Sequence, residues 1–334
     1  MKKMINDPYQ VVEETLSGIL KAYPYHLRMS KESQRALVRA DAPVKGKVGI
    51  CTGGGSGHIP VFLGYVGPGL LDGVSVGNVF SSPSSDDMLA ATKEVNGGAG
   101  VLYIFGNYSG DVMNFEMAAE AAEIEGIPVQ MSIVKDDVVS APRDEKDHRR
   151  GVAGLFFAYK LAGAKADTMA SLDEVKAVAD RVIDETCSIG VALSPCTIPA
   201  AGKPTFTIAD DEMEIGMGIH GEPGLERTKL MKADDIAAIM TEKVISDLPF
   251  RSGDEVAVLI NGLGATPPEE LFILYNKAHD VLGEHGLKVY KTFVGEYATS
   301  MEMAGASLTV LRLNDEFKVL LDAPAFSPFL LQWR

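Results

Sequence analysis

Three observations predict an α/β fold with two domains, each a mixed sheet flanked by helices. Short apolar runs of strand length alternate with amphipathic stretches of helical period through the first half of the chain. Two of those runs lead straight into glycine-rich loops, as strands do at the ligand-binding edge of an α/β sheet. Beyond about residue 184 the texture changes, with Pro195, Pro199 and Pro204 and longer loops between strands, which suggests a second, partly antiparallel sheet. The predicted division is 1–185, carrying the glycine-rich loop, His58 and Asp111, and 186–334, carrying His220.

Taken in order, residues 9–22 place Val11, Val12, Leu16, Ile19 and Leu20 at helical spacing, and Tyr23-Pro24 ends that helix. Val48 to Cys51 is a buried strand that enters Gly53-Gly54-Gly55-Ser56-Gly57-His58. Ser84 to Val95 predicts a helix capped by Ser84 or Ser85, with Asp86 and Asp87 in the first turn where the dipole favours them. Leu102 to Phe105 is the next strand, entering Gly106-Asn107-Tyr108-Ser109-Gly110-Asp111. A helix over 115–125, a strand over 129–134 and helices over 149–163 and 171–186 complete the first half. The second half predicts a strand over 255–260, a turn over 261–268, a helix over 269–282 and strands near 289–294 and 307–313.

The bulk properties exclude several functions. The 334 residues carry a formal net charge of −15, with no basic surplus to neutralise phosphates or an anionic membrane, so neither nucleic acid nor membrane is an expected partner. No apolar run approaches the length of a membrane span, and the two N-terminal lysines are not followed by a signal-peptide core, so a cytoplasmic location is expected. Cys51, Cys187 and Cys196 have no CxxC spacing, which fits a reducing compartment and supports neither a disulfide framework nor a zinc site. Cys51 beside the glycine run reads as a small buried residue at a strand end rather than a nucleophile.

The chemistry-bearing residues are two glycine-framed histidines and an aspartate. Gly218-Ile219-His220-Gly221-Glu222-Pro223-Gly224 lets backbone and substrate approach one imidazole closely, with Pro223 stiffening the turn. His58 ends the glycine run, and Asp111 follows Ser109-Gly110. Loops 53–58 and 106–111 follow strands of one predicted sheet and open on the same edge. The ordinary alternatives are a structural histidine at each loop and an aspartate that caps a helix beginning near Val112. His26, His148, His279 and His285 lie in polar or helical contexts, and no HxH or HxxxH spacing points to a metal. Together the three residues suit a small hydroxy-ketone: an imidazole adds to the carbonyl, while the other histidine and the aspartate share deprotonation of a neighbouring hydroxyl. The glycine run is not a dinucleotide fingerprint, since His58 stands where its last glycine belongs, and Gly202-Lys203-Pro204 is not a phosphate-binding loop. No nucleotide or other cofactor is therefore expected on this chain.

Gly54-Gly55-Ser56-Gly57-His58, Asn107-Tyr108-Ser109-Gly110-Asp111, Ala200-Ala201-Gly202-Lys203-Pro204 and Met217 to Gly224 resemble the substrate-binding K subunit of dihydroxyacetone kinases. Leu263 to Pro267, Thr299 to Met303 and Asp322-Ala323-Pro324 extend the likeness from the first helix to the C-terminus. The resemblance implies a homodimer, a covalent hemiaminal between His220 and the substrate carbonyl, and activation of the phosphate-accepting hydroxyl by Asp111 and His58, with Asp111 as base. It places Gly55, Ser56 and Ser82 in the substrate site, with Gly57 and Gly106 beside them. It also implies a separate L-type nucleotide-binding subunit carrying ATP or ADP with Mg2+, the latter recharged by a phosphotransferase relay.

Two positions depart from that family's pattern. Gly106 stands where lysine precedes the Asn-Tyr motif, and Ile59 stands where glutamate follows the histidine. Losing the lysine removes a charge and a long stem, which leads to the expectation of a ketose longer than dihydroxyacetone, such as erythrulose. A non-catalytic ketose-sensing coactivator is the competing function, and an NAD-type oxidoreductase a third, disfavoured by the broken fingerprint.

Overall fold

Two units share the chain in the computed structural model, which describes residues 2–333. One comprises Met1–Val134, Leu155–Val182 and Glu316–Arg334; the other comprises Lys135–Gly154 and Ile183–Asp315. This interleaving differs from the contiguous division at 185/186 expected from composition. The reason is long-range backbone pairing. Val138 N–H donates to Ser188 O at 3.0 Å, drawing 135–154 into the second unit. Phe326 N–H donates to Pro68 O at 2.9 Å, drawing the C-terminal segment into the first.

The first unit contains α1 (Val11–Ala22), β1 (Leu27–Met29), β2 (Ala36–Arg39), β3 (Gly49–Ser56), β4 (Gly73–Val79), α2 (Ser85–Val95), β5 (Val101–Gly106), α3 (Ser109–Ile124), β6 (Val129–Val134), α4 (Leu155–Asp167) and α5 (Leu172–Asp184). Its sheet runs β1-β2-β4-β3-β5-β6, with the last four strands parallel and the β1-β2-β4 edge antiparallel. A parallel sheet must be covered on both faces. Met88, Ala91, Phe115 and Ala118 of α2 and α3 join Cys51, Tyr103 and Phe105 in one buried cluster. Helix α4 is buried along almost its whole length, including Lys160, whose Nζ donates to Leu320 O at 2.7 Å and so keeps the charge hydrogen-bonded. Ser84 caps α2 by accepting from Asp87 N–H at 3.2 Å.

The second unit contains β7 (Thr186–Ser194), β8 (Thr197–Ile198), β9 (Lys203–Pro204), β10 (Glu212–Ile215), β11 (Glu226–Lys229), α6 (Ala233–Asp247), β12 (Glu255–Gly262), α7 (Pro268–Glu284), β13 (Lys288–Gly295) and β14 (Ala304–Arg312). Its main sheet runs β11-β10-β7-β14-β12-β13, antiparallel except for β12 and β13. Helices α6 and α7 bury Ile236, Met240, Val244, Leu271 and Leu274 against Ile189, Val258 and Leu308. The chain then returns to the first unit through α8 (Asp315–Asp322) and the hairpin of β15 (Ala325–Ser327) and β16 (Leu330–Gln332).

The mixed α/β architecture with two sheets follows the sequence-based expectation. Several details do not. The glycine run expected as a loop is the end of β3, with Gly53, Gly54 and Gly55 paired to Ser75, Val76 and Gly77 of β4. The helix expected over 149–163 begins at Leu155, because Arg149 is extended and the side chains of Arg149 and Arg150 are tied to Asp247 and Asp137.

Candidate functional site

In the first unit, β3 and β5 are adjacent and parallel, so the segments after their C-terminal ends share one sheet edge. His58 follows β3 and Asp111 lies in the first turn of α3, after β5. Both are buried, at 1% and 7% exposure, which is unusual for such polar groups outside a site. Asp111 is not the N-cap residue of α3: the helix starts at Ser109, with Tyr108 at the N-cap position. Its charge reaches Tyr159, whose hydroxyl lies 2.8 Å from Thr52 Oγ1. Burial, opposed by the Thr52 bond and reinforced by Asp111, drives the Tyr159 pKa far up, so the phenol stays protonated.

The remaining expected residues of this unit gather near the same edge. Gly55 is packed so tightly that a Cβ there would lie 2.6 Å from Ser81 N and 2.8 Å from Phe80 Cα. Ser56 O accepts from Phe80 N–H at 3.0 Å, and Gly57 turns the chain at φ 104°. Ser82 Oγ accepts from Asn114 Nδ2 of α3 at 3.3 Å, fastening the 80–83 segment to the helix that carries Asp111. Gly106 ends β5, paired with Val134, and its carbonyl accepts from Tyr108 N–H at 2.9 Å. Ile59 is half-buried beside His58.

In the second unit, His220 sits on the loop between β10 and β11 with its side chain 25% exposed. Glu222 Oε1 lies 2.8 Å from His220 Nδ1, and Oε2 accepts from the His220 backbone N–H at 2.9 Å. A carboxylate only accepts, so Nδ1 is the nitrogen that carries the proton in this pair. Burial pushes the Glu222 carboxyl up, but the hydrogen bond and charge of His220 outweigh it and bring the pKa down to about 2. Arg150 braces the loop by donating from Nη2 to Gly216 O at 2.9 Å and from Nε to Asp137 Oδ2 at 2.9 Å. A Cβ on Gly218 would collide with the Glu222 carboxylate and come within 2.6 Å of Arg150 Nη1, so glycine is what allows these groups to meet. Ser300 Oγ donates to Ile219 O at 2.5 Å from the other side.

The part played by Glu222 is not assigned from sequence; its signal is a carboxylate two residues from a glycine-framed histidine. Arg150 and the rings around His58 carried no local signal. All three cysteines are buried, and burial drives the Cys51 thiol pKa well up, against a nucleophilic role. Among the described residues no cluster of three or more His, Cys, Asp or Glu could hold a metal ion, and no helix is long and apolar enough to cross a membrane.

Residues 17–329 match the family model described as the Dak1 domain. The chain belongs to the Dak1 domain family. It is 46% identical over 316 residues to the PTS-dependent dihydroxyacetone kinase 1, dihydroxyacetone-binding subunit DhaK, of Listeria innocua, covering 95% of each chain. It is 42% identical over 328 residues to the D-erythrulose kinase of Mycolicibacterium smegmatis, covering 98% of this chain but only 56% of that protein. Among solved structures of Dak1-like chains, the dihydroxyacetone kinase operon co-activator Dha-DhaQ superposes with a TM-score of 0.89 at 33% identity, covering 96% of this chain and 99% of the other.

Proposed function

We propose that this Dak1 chain is the ketose-binding subunit of a dihydroxyacetone-type kinase, a phosphotransferase with an alcohol acceptor. The observation that carries the reading is the His220–Glu222 pair: a glycine-framed imidazole whose Nδ1 is engaged by a carboxylate, on a half-open loop. In the neutral ring the Nε2 lone pair bonds to the ketone carbon, the carbonyl π pair moves to oxygen, and that oxygen takes a proton from water, leaving the ring cationic with its proton on Nδ1. The ionised Glu222 carboxylate balances the charge that develops on the ring. A polyol has no carbonyl to take part, so capture selects ketoses over glycerol.

Asp111 and His58 act on the hydroxyl that receives phosphate, with Asp111 accepting its proton as the oxygen attacks. Gly55, Ser56, Gly57, Ser82 and Gly106 line the substrate's surroundings. ATP, or ADP recharged by a phosphotransferase relay, is carried with Mg2+ by a separate L-type nucleotide-binding subunit. In this reading the chain works as a cytoplasmic homodimer. His220→Ala tests it: mass spectrometry after borohydride-free incubation with dihydroxyacetone detects the adduct on the native chain and none on the variant. An adduct of unchanged yield on the variant would remove His220 from this role.

Gly106 favours a second reading within the same chemistry, a four-carbon ketose as the preferred substrate, because no side chain projects from the end of β5. The coactivator reading is weaker. Capture serves sensing, but sensing has no use for the buried pair of Asp111 and His58 that hydroxyl activation requires.

A further inference from the structure

Among the described residues, four non-glycine residues hold a positive φ: Phe62, Phe80, Met169 and Met301. Two of them place their rings on the same imidazole. Phe80, at φ 57°, stacks on His58 with ring centroids 4.8 Å apart and planes 17° from parallel. Phe62, at φ 66°, meets His58 edge-on at 6.0 Å and 79°. A bulky side chain in the left-handed region is strained, and such strain persists only where the surroundings over-determine it. Here they do. Phe80 N–H donates to Ser56 O at 3.0 Å, while Gly55 presses backbone to backbone against Phe80 Cα and Ser81 N.

A hydrophobic filler needs neither the strain nor the near-parallel planes. The ring is only half-buried, and a favourable stack returns less than a left-handed phenylalanine costs. The feature that the strained backbone secures is the orientation of the imidazole between two rings. We infer that Phe80 is a positioning residue for His58, fixing the plane of the ring that handles the acceptor hydroxyl. This rests on the role proposed for His58 above.

The test compares Phe80→Gly, which suits the left-handed backbone and removes the ring, with Phe80→Tyr, which keeps it. In turnover with dihydroxyacetone and the nucleotide-binding subunit, Phe80→Gly is expected to lower kcat by roughly 10- to 100-fold, as a misplaced catalytic group does, with KM shifted less than about threefold. Phe80→Tyr is expected to restore kcat to within about twofold of the native value. In proton–carbon spectra of the subunit, the His58 ring signals should lose their ring-current shift in Phe80→Gly and keep it in Phe80→Tyr. If the glycine variant does not fold, Phe80→Leu carries the same comparison. Native kcat in the ring-less variant, or a loss that tyrosine does not rescue, overturns the inference. His58→Ala separates the two layers: undiminished turnover there would sink the role of His58 itself, whereas lost turnover there with native turnover in Phe80→Gly would sink only the role of Phe80.

Discussion

Glu222 engages His220 with both oxygens of one carboxylate, Oε1 at 2.8 Å from Nδ1 and Oε2 accepting the backbone N–H at 2.9 Å. The same residue therefore sets where the loop backbone goes, which tautomer the ring adopts and what charge lies behind it. With its pKa brought down to about 2, the carboxylate is ionised throughout the neutral range.

Glu222→Gln keeps the size of that side chain and removes its charge. An amide can still contact Nδ1 but no longer enforces the tautomer or balances a cationic ring, so adduct formation with dihydroxyacetone should slow by roughly 10- to 100-fold, the usual cost of losing an orienting partner behind a ligating histidine. Stopped mass spectrometry of the adduct measures it. The acid limb should change too. A carboxyl whose folded pKa is lowered contributes stability above its unfolded value of 4.5, and that contribution is lost as pH falls toward about 2. The variant's unfolding midpoint should accordingly fall less steeply over that window.

Gly218→Ala should mimic the loss without touching either partner. The added methyl would occupy the space of the Glu222 carboxylate and lie 2.6 Å from Arg150 Nη1, so one of them must move. Because φ of Gly218 is not in the left-handed region, the damage comes from crowding, and overall stability should drop modestly, on the order of 1–3 kcal/mol. Adduct formation should fall by at least tenfold, a disproportion that calorimetry and mass spectrometry on one sample would reveal.

These arrangements show what the sequence could and could not disclose. Strands β5 and β6 and helix α2 were legible because each carries its signal locally, in an apolar run or a serine followed by aspartates. Strand β4 was not, since Gly73-Val74-Ser75-Val76-Gly77-Asn78-Val79 lacks bulk and gains its identity from pairing with β3. Strand β7, central in the second sheet, showed only as a change of texture, and α6 was passed over although Ile236, Met240 and Val244 repeat at helical spacing. His58, Asp111 and His220 stood out through their glycine neighbours. Phe80 and Arg150 did not, because a left-handed backbone and a brace spanning 66 residues are consequences of the fold rather than of neighbouring residues.

Asp137 predicts an opposite pH response in the second unit. Burial raises its pKa from 3.8 to about 6, with Arg150 pulling it down and Asp136 pushing it up. Between those values the native state binds the proton that the unfolded chain has released, so this residue's contribution to stability is present at low pH and lost as pH rises through about 6. Asp137→Asn removes the titration while still accepting from Arg150. Between about pH 4 and 7 its unfolding midpoint should decline less steeply than that of the native protein, by a difference worth on the order of 2 kcal/mol in total, the remaining slope coming from groups such as the buried Asp136, whose carboxyl burial also raises. Equal slopes in the two proteins would show that Asp137 titrates normally.

Gly106 gives the last prediction, about substrate length. It ends β5 in regular register with Val134 and its φ lies outside the left-handed region, so the backbone itself does not require glycine there. The Gly106 carbonyl already receives Tyr108 N–H, which fixes the turn leading to Asp111 whatever side chain is present. Gly106→Lys should therefore fold, and its long stem should reclaim space and add a donor near the acceptor hydroxyl. The native chain is expected to turn over erythrulose with a higher kcat/KM than dihydroxyacetone. In the variant that ratio should fall by at least tenfold, because one buried steric or polar mismatch discriminates on that scale. Side-by-side turnover of the two ketoses with the same nucleotide-binding subunit decides the matter. A native preference for the three-carbon ketose, unchanged in Gly106→Lys, would show that chain length is set elsewhere, with Ile59 beside His58 the next position to exchange.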